Sequence, residues 1–195
     1  MSGKLKSTRM KLILLFTFVT LSLSAYTQVP FNRNPQLNKT LSPFSNERIS
    51  PEKNLKINPM FNWHLNPYSN AAINPTSNAL INPKLNTKVN PHYNEILNPL
   101  RSLSLNPLMN GNWVGYYLFD KEGNHTGYYV WGDQLVMLCF DLKGKWTGYL
   151  VQTDNKTYNC FDLNDEWTGM FACTDSDSGV NLFNKEGAWT GEYAK

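Results

Sequence analysis

Cysteine is scarce in this chain of 195 residues: Cys139, Cys160 and Cys173, with none before position 139. That excludes the lipobox cysteine of a bacterial lipoprotein. The absence of any Cys-x-x-Cys, or of a His beside these thiols, speaks against a metal site. The odd count leaves at least one thiol unpaired within the chain. Histidine is equally sparse, at His64, His92 and His125. No Ser/His/Asp set and no paired carboxylates stand out, so the reading is a non-enzyme without catalytic residues or a cofactor. Beyond residue 25 no apolar run is long enough to span a bilayer. A basic, aromatic-interleaved patch for nucleic acid is missing from the C-terminal part, which is acidic.

What is present falls into three segments. Lys4, Lys6, Arg9 and Lys11 precede an apolar run from Leu12 to Val19. A run this short fits a signal-peptide core better than a membrane span. Residues 1–27 are therefore expected to be a cleaved export signal, and the mature chain to be secreted or periplasmic. Residues 29–112 carry eight Lys/Arg and three Asp/Glu, a net of +5, and residues 113–195 carry six Lys and twelve Asp/Glu, a net of −6. Two readings of this asymmetry stay open: separately solvated segments, or a basic stretch that docks on the acidic one or on another anionic surface.

Residues 28–112 contain an octapeptide repeat. From Asn34 to Asn110 an Asn or Ser stands at every fourth position, twenty in all, and only Ser42, Ser50 and Ser102 are not Asn. Proline follows every second one, from Pro35 to Pro107, and from Leu41 onward Leu, Ile or Val precedes it. Proline at this period forbids an α-helix. The apolar period is wrong for a strand. Asn-Pro-x-x is a type I turn signature, in which Asn caps the turn and Pro presets φ. The segment is expected to be either a turn-rich stalk or an ordered ribbon of turns, its Ile/Leu face stacked on itself or on another protein.

The segment 113–195 repeats at another period. His125-Thr-Gly, Trp146-Thr-Gly, Trp167-Thr-Gly and Trp189-Thr-Gly place their glycines 21, 21 and 22 residues apart, each preceded by Phe119, Phe140, Phe161 or Phe183. Repetition at such a period decides architecture before any single residue does. Alternation puts Tyr116/Leu118, Met137/Cys139, Tyr158/Cys160 and Val180/Leu182 on a core face. The opposite row, Tyr117/Phe119, Leu138/Phe140, Asn159/Phe161 and Asn181/Phe183, is expected near a rim. The tight turns at Asp120, Asp141, Asp162 and Asn184 end in Gly, or in Asp165, as a left-handed position requires. The first unit lacks a leading strand and the last lacks a trailing one. Joining them makes an all-β ring or shallow barrel of about four hairpins, without free edges. Cys139 and Cys160 occupy equivalent apolar places, so buried thiols are the main reading and a Cys139–Cys160 disulfide the alternative.

The Phe-Asp…Trp-Thr-Gly repeat resembles the β-flower proteins, symmetric barrels of hairpin petals. That resemblance covers residues 113–195 and implies a membrane-associated or binding role. A weaker likeness is to aromatic cell-wall-binding repeats. The candidate contact rim is Trp113, His125, Trp146, Trp167 and Trp189 with Phe140 and Phe161. These rings either stack on a ligand or pack over neighbouring hairpins. The functional expectation is a secreted binding or surface module contacting glycan, lipid surface or extracellular protein. The alternative is a structural protein that self-associates through its Asn-Pro ribbon.

Overall fold

The computed structural model describes residues 29–154 and 156–195. The expected export signal lies outside the described residues. Eight strands, β1 (Tyr116–Phe119), β2 (His125–Trp131), β3 (Val136–Asp141), β4 (Trp146–Gln152), β5 (Thr157–Phe161), β6 (Trp167–Thr174), β7 (Val180–Phe183) and β8 (Trp189–Ala194), form a closed antiparallel barrel in sequence order. Closure is made by Leu118 opposite Ala194 and Phe119 opposite Tyr193. Reciprocal bonds between Tyr117 and Lys195 backbones, 2.7 and 3.0 Å, extend it. The turns joining β1–β2, β3–β4, β5–β6 and β7–β8 each hold one left-handed residue: Gly123, Gly144, Asp165 (φ 66°) and Gly187.

Alternation sends two apolar rows to opposite sides of this wall. The inner row packs as one cluster, including Tyr129, Met137, Leu150, Tyr158, Ala172 and Leu182, with Cys139 and Cys160 against it. All three cysteines are free thiols, so the Cys139–Cys160 disulfide is not formed. The outer row carries four stacked aromatic pairs, one per unit: Phe119–Tyr193, Tyr128–Phe140, Tyr149–Phe161 and Phe171–Phe183, with centroids 5.3–5.6 Å apart. In a bare barrel these rings would face water.

They are covered by the Asn-Pro segment, which is a ribbon of turns rather than a free stalk. Each fourth residue accepts the backbone N–H three residues on, and often that four on, as Asn34 does from Leu37 and Asn38. Six of the turns are short 3-10 segments, such as Ala71–Ile73 and Glu95–Leu97. Nine Asn side chains, Asn38 to Asn110, each send their amide back to the carbonyl six residues earlier, at 2.5–3.0 Å. Most of them also accept the N–H two residues ahead through Oδ1, as Asn70 and Asn78 do. Only a side chain that accepts at one atom and donates at the other makes both bonds, which Asp and Ser of this geometry cannot. The tetrad Asn is therefore a rung as well as a turn cap.

The apolar residue before each Asn-Pro points inward. Leu41, Leu65, Ile81 and Val89 are 2–3% exposed, and Ile73, Ile81 and Leu97 join one hydrophobic cluster with Tyr128, Leu138 and Phe161 of the barrel. Three octads, 24 residues, advance the ribbon over one hairpin of 21 or 22. Leu41 lies over β7, where Asn181 Nδ2 donates to its carbonyl at 3.1 Å. Leu65 receives Asn159 Nδ2 of β5 at 2.7 Å. Val89 sits beside Leu138 at Gly132, and Trp113 meets Tyr117 of β1 edge-on at 4.6 Å. Ribbon and barrel thus run in opposite directions around the ring, in fixed register.

Asn159→Ala removes the donor to a buried Leu65 carbonyl. The expected loss is about 1–3 kcal/mol, read as a lowered denaturant midpoint with the barrel's circular-dichroism signature kept. An unchanged midpoint would mean that the register bond contributes nothing.

Candidate functional site

The Trp-Thr-Gly residues do not project from a rim. Trp146 and Trp167 are 7% and 9% exposed, Phe140 and Phe161 are 3% exposed, and His125 and Trp189 are half-buried. The exposed contact row expected from the sequence is corrected here: the ribbon, whose docking on the acidic segment is one of the two readings left open by the charge asymmetry, lies over it. Trp113, at 8% exposure, is not a member of that row at all. It ends the ribbon's own series Leu41, Leu65, Val89, Trp113.

Each Trp has a defined structural task. Trp146 Nε1 donates to Gly148 O at 2.8 Å, Trp167 to Met170 O at 2.8 Å and Trp189 to Glu192 O at 3.0 Å. The acceptor is always the residue before the outward stacked aromatic: Tyr149, Phe171 or Tyr193. His125 Nε2 lies 2.8 Å from Gly127 O, the same carbonyl ahead of Tyr128. An imidazole N–H reaches where an indole N–H does, which explains why one unit manages without Trp. The last two units carry one extra residue, Met170 or Glu192, after a left-handed Gly169 or Gly191 (φ 79° and 87°). In the first two units the glycine serves differently: a Cβ on Gly127 or Gly148 would strike the carbonyl of Phe140 or Phe161 on the facing strand.

Over each Trp the ribbon places a second ring, again at 24-residue spacing. Phe44 meets Trp189 at 5.1 Å, Tyr68 meets Trp167 at 5.4 Å and His92 meets Trp146 at 5.5 Å, all edge-to-face. Beside two of these pairs a cleft opens between ribbon and hairpin. One, of about 450 Å³, is lined by Tyr68, Asn74, Thr76, Asp165, Glu166 and Trp167. The other, of about 270 Å³, lies one unit away at His92, Asn98, Leu100, Lys145 and Trp146. They are equivalent positions with different charge, since Glu166 stands where the other has Lys145.

Asp165 anchors the larger cleft. Its carboxylate accepts Tyr149 Oη at 2.8 Å and Asn82 Nδ2 at 3.1 Å, with Lys84 Nζ at 3.8 Å. Burial first, then that bond, raises the Tyr149 phenol well above its usual range. Where Gly144 replaces Asp165, the Tyr128 hydroxyl has no hydrogen-bond partner among the described residues. The turn residues Asp120, Asp141 and Asp162 accept backbone N–H groups of their own turns. Hydrogen bonding, chiefly from Asn124 and Glu166 respectively, holds the Asp120 and Asp162 carboxyls below the usual range. Burial pushes the Cys160 thiol up to about 12 and raises the Cys139 thiol well above its usual range, so both are poor nucleophiles at neutral pH.

The residues missed from sequence are Tyr68, His92, Asp165, Glu166 and Lys145 as cleft-formers. The available signal was the 24-residue recurrence of Phe44, Tyr68 and His92 inside the octad repeat.

Burial depresses the His125 pKa below 6.5, against a smaller opposing pull from the Gly127 carbonyl. Between that depressed value and 6.5 the unfolded chain binds the proton and the folded one does not, so stability falls as pH drops through this window. His125→Trp removes the titrating group. The expected outcome is a smaller fall in melting temperature between pH 7 and pH 5 than in the parent; equal falls would show that His125 is not responsible.

No protein-family model, no curated protein and no solved structure matches this chain.

Proposed function

We propose that this is an exported, non-catalytic binding module of β-flower-like petal architecture, and that its ligand is a glycan held in the clefts between ribbon and barrel. The observation that carries this reading is the recurrence of one aromatic cleft over two successive hairpins, at Tyr68/Trp167 and His92/Trp146. Each cleft joins an aromatic edge to a few converging polar groups. Asn74, Thr76 and Glu166 serve in one, and Asn98 and Lys145 in the other. Sugars present C–H faces and hydroxyl rims together, so this pairing suits them better than a featureless apolar groove. Tandem weak sites on one rigid wall also suit a polymer, because a second contact becomes intramolecular once the first is made. The contact surface in this reading is the ribbon's ring and the turn residue beside it, with the buried Trp as the cleft's floor.

Titration of the purified protein against a panel of soluble polysaccharides tests this. Tyr68→Ala and His92→Ala remove exposed rings, so melting temperature stays close to the parent's. Each is expected to weaken polysaccharide binding about tenfold, the scale of one lost aromatic contact. Binding that survives intact in the folded double variant, or no binding to any polysaccharide, overturns the assignment.

A further inference from the structure

The two clefts differ by one built-in carboxylate. In the larger, Asp165 accepts the Tyr149 hydroxyl at 2.8 Å and Asn82 Nδ2 at 3.1 Å, with Lys84 Nζ at 3.8 Å. One petal earlier the wall is the same. Tyr128 stacks on Phe140 as Tyr149 does on Phe161, with centroids 5.6 and 5.5 Å apart. Burial, then the nearby Asp141, pushes the Tyr128 phenol up to about 12, as burial and then Asp165 and Asp162 raise Tyr149. The two hydroxyls therefore lie at the same point of their tight turns. Asn106 follows Asn82 by one 24-residue period, but Gly144 stands for Asp165 and Leu108 for Lys84. Tyr128 is 0% exposed, and its hydroxyl has no hydrogen-bond partner among the described residues. A buried donor left unpaired is costly and rare. The cation has changed sides as well. Lys145 lines this cleft where Glu166 lines the other, and the lining contains no Asp or Glu.

We propose that the Lys145 cleft takes a carboxylate of its glycan, seated against Tyr128 where Asp165 seats its own carboxylate one petal on, so that the ligand is an acidic, uronate-bearing polysaccharide. This rests on the glycan-binding reading of the clefts and narrows it. The Tyr128 hydroxyl donates to the ligand carboxylate and Lys145 supplies the opposite charge, a pairing stronger than that of neutral groups. The larger cleft, with its acid built in, takes a neutral part of the same polymer. Leu100 stands in the way: a Cβ on Gly144 would lie 3.0 Å from its Cδ2. That atom ends a flexible side chain that is 65% exposed, and rotamer changes of this kind are common on binding. Asp141 does not bar the site. Its Oδ1 accepts the N–H groups of Lys143 and Lys145 at 2.8 and 2.9 Å, and Asp165 is held beside an Asp162 bonded in the same way. The Tyr193 hydroxyl near Gly123 is unpartnered too. There the next residue is Asn124, tied to Asp120, so that petal places no cation after its glycine.

Titration calorimetry of the purified protein with polygalacturonate and alginate, against neutral dextran and galactomannan, tests the proposal. A polyuronate is expected to bind at least tenfold tighter than either neutral polymer. Lys145→Gln and Tyr128→Phe are each expected to weaken polyuronate binding about tenfold, the scale of one lost bond to a charged group, and to leave neutral polymers unaffected. Tyr128→Phe loses no bond within the protein, so its melting temperature equals or exceeds the parent's. Gly144→Asp supplies the carboxylate from the chain itself and abolishes polyuronate binding in a protein that still melts cooperatively. Lys143→Gln makes the same charge change on the same turn but outside the cleft, and leaves binding unchanged. Polyuronate binding that survives intact in both folded variants, or falls equally in Lys143→Gln, overturns the proposal. Equal affinity for free galacturonate overturns the polymer. Binding of neutral polymers alone, lost in Tyr68→Ala/His92→Ala, overturns the carboxylate and keeps the glycan clefts; binding of no polymer overturns both.

Discussion

The constraint on which this molecule depends is that the outer wall of its barrel is apolar. Small barrels usually bury one face of each strand and solvate the other. Here four stacked aromatic pairs, with Val130, Leu138 and Val151, stand on the outside. Leaving that surface in water would forfeit roughly 25 cal/mol for every Å² of apolar area. The Asn-Pro ribbon removes it from water. Conversely, a ribbon with one apolar residue per eight has no core of its own. Each repeat completes the other, and the hydrophobic clusters contain side chains of both.

Such mutual dependence needs register, because a sliding ribbon would set Ile or Leu against polar positions. Three devices hold it. The three-octad step equals one hairpin, so every petal meets the same ribbon phase. Asn159 and Asn181 reach out of the wall to ribbon carbonyls, in places where the other two units carry Leu138 and Tyr117. Asp165 ties Tyr149 of the wall to Asn82 of the ribbon. The ribbon can be wrapped without strands because turn bonds and asparagine rungs satisfy much of its polar backbone internally, while Asn159 and Asn181 of the barrel take the Leu65 and Leu41 carbonyls. It needs no sheet edge, and the barrel has none to offer.

The clefts descend from this arrangement. Where a ribbon turn crosses a hairpin, its ring lies on the Trp but cannot fill the corner beside the tight turn. The leftover space takes its polarity from the residue just before Trp: Lys145 in one unit, Glu166 in the next.

Much of this was legible in the sequence. The 21-residue period, the half-units at each end and the alternating Tyr/Leu and Met/Cys row determined a closed ring of hairpins, because backbone closure and strand alternation are local consequences of spacing. The turn character of the Asn-Pro segment followed from proline and asparagine stereochemistry in the same way. Where the Trp row points was not determined. Its exposure depends on what covers it, and the ribbon residues that receive bonds from the wall are far off in sequence, Leu65 94 residues from Asn159 and Leu41 140 from Asn181. The arithmetic that joins them, 24 against 21, means nothing until both repeats are bent around one axis. Tertiary structure alone decided that the tryptophans are a floor rather than a rim, and that asparagines are rungs as well as caps. Long-range burial sets the first; the rungs are bonds across six residues of exposed ribbon, made when successive turns fold against one another.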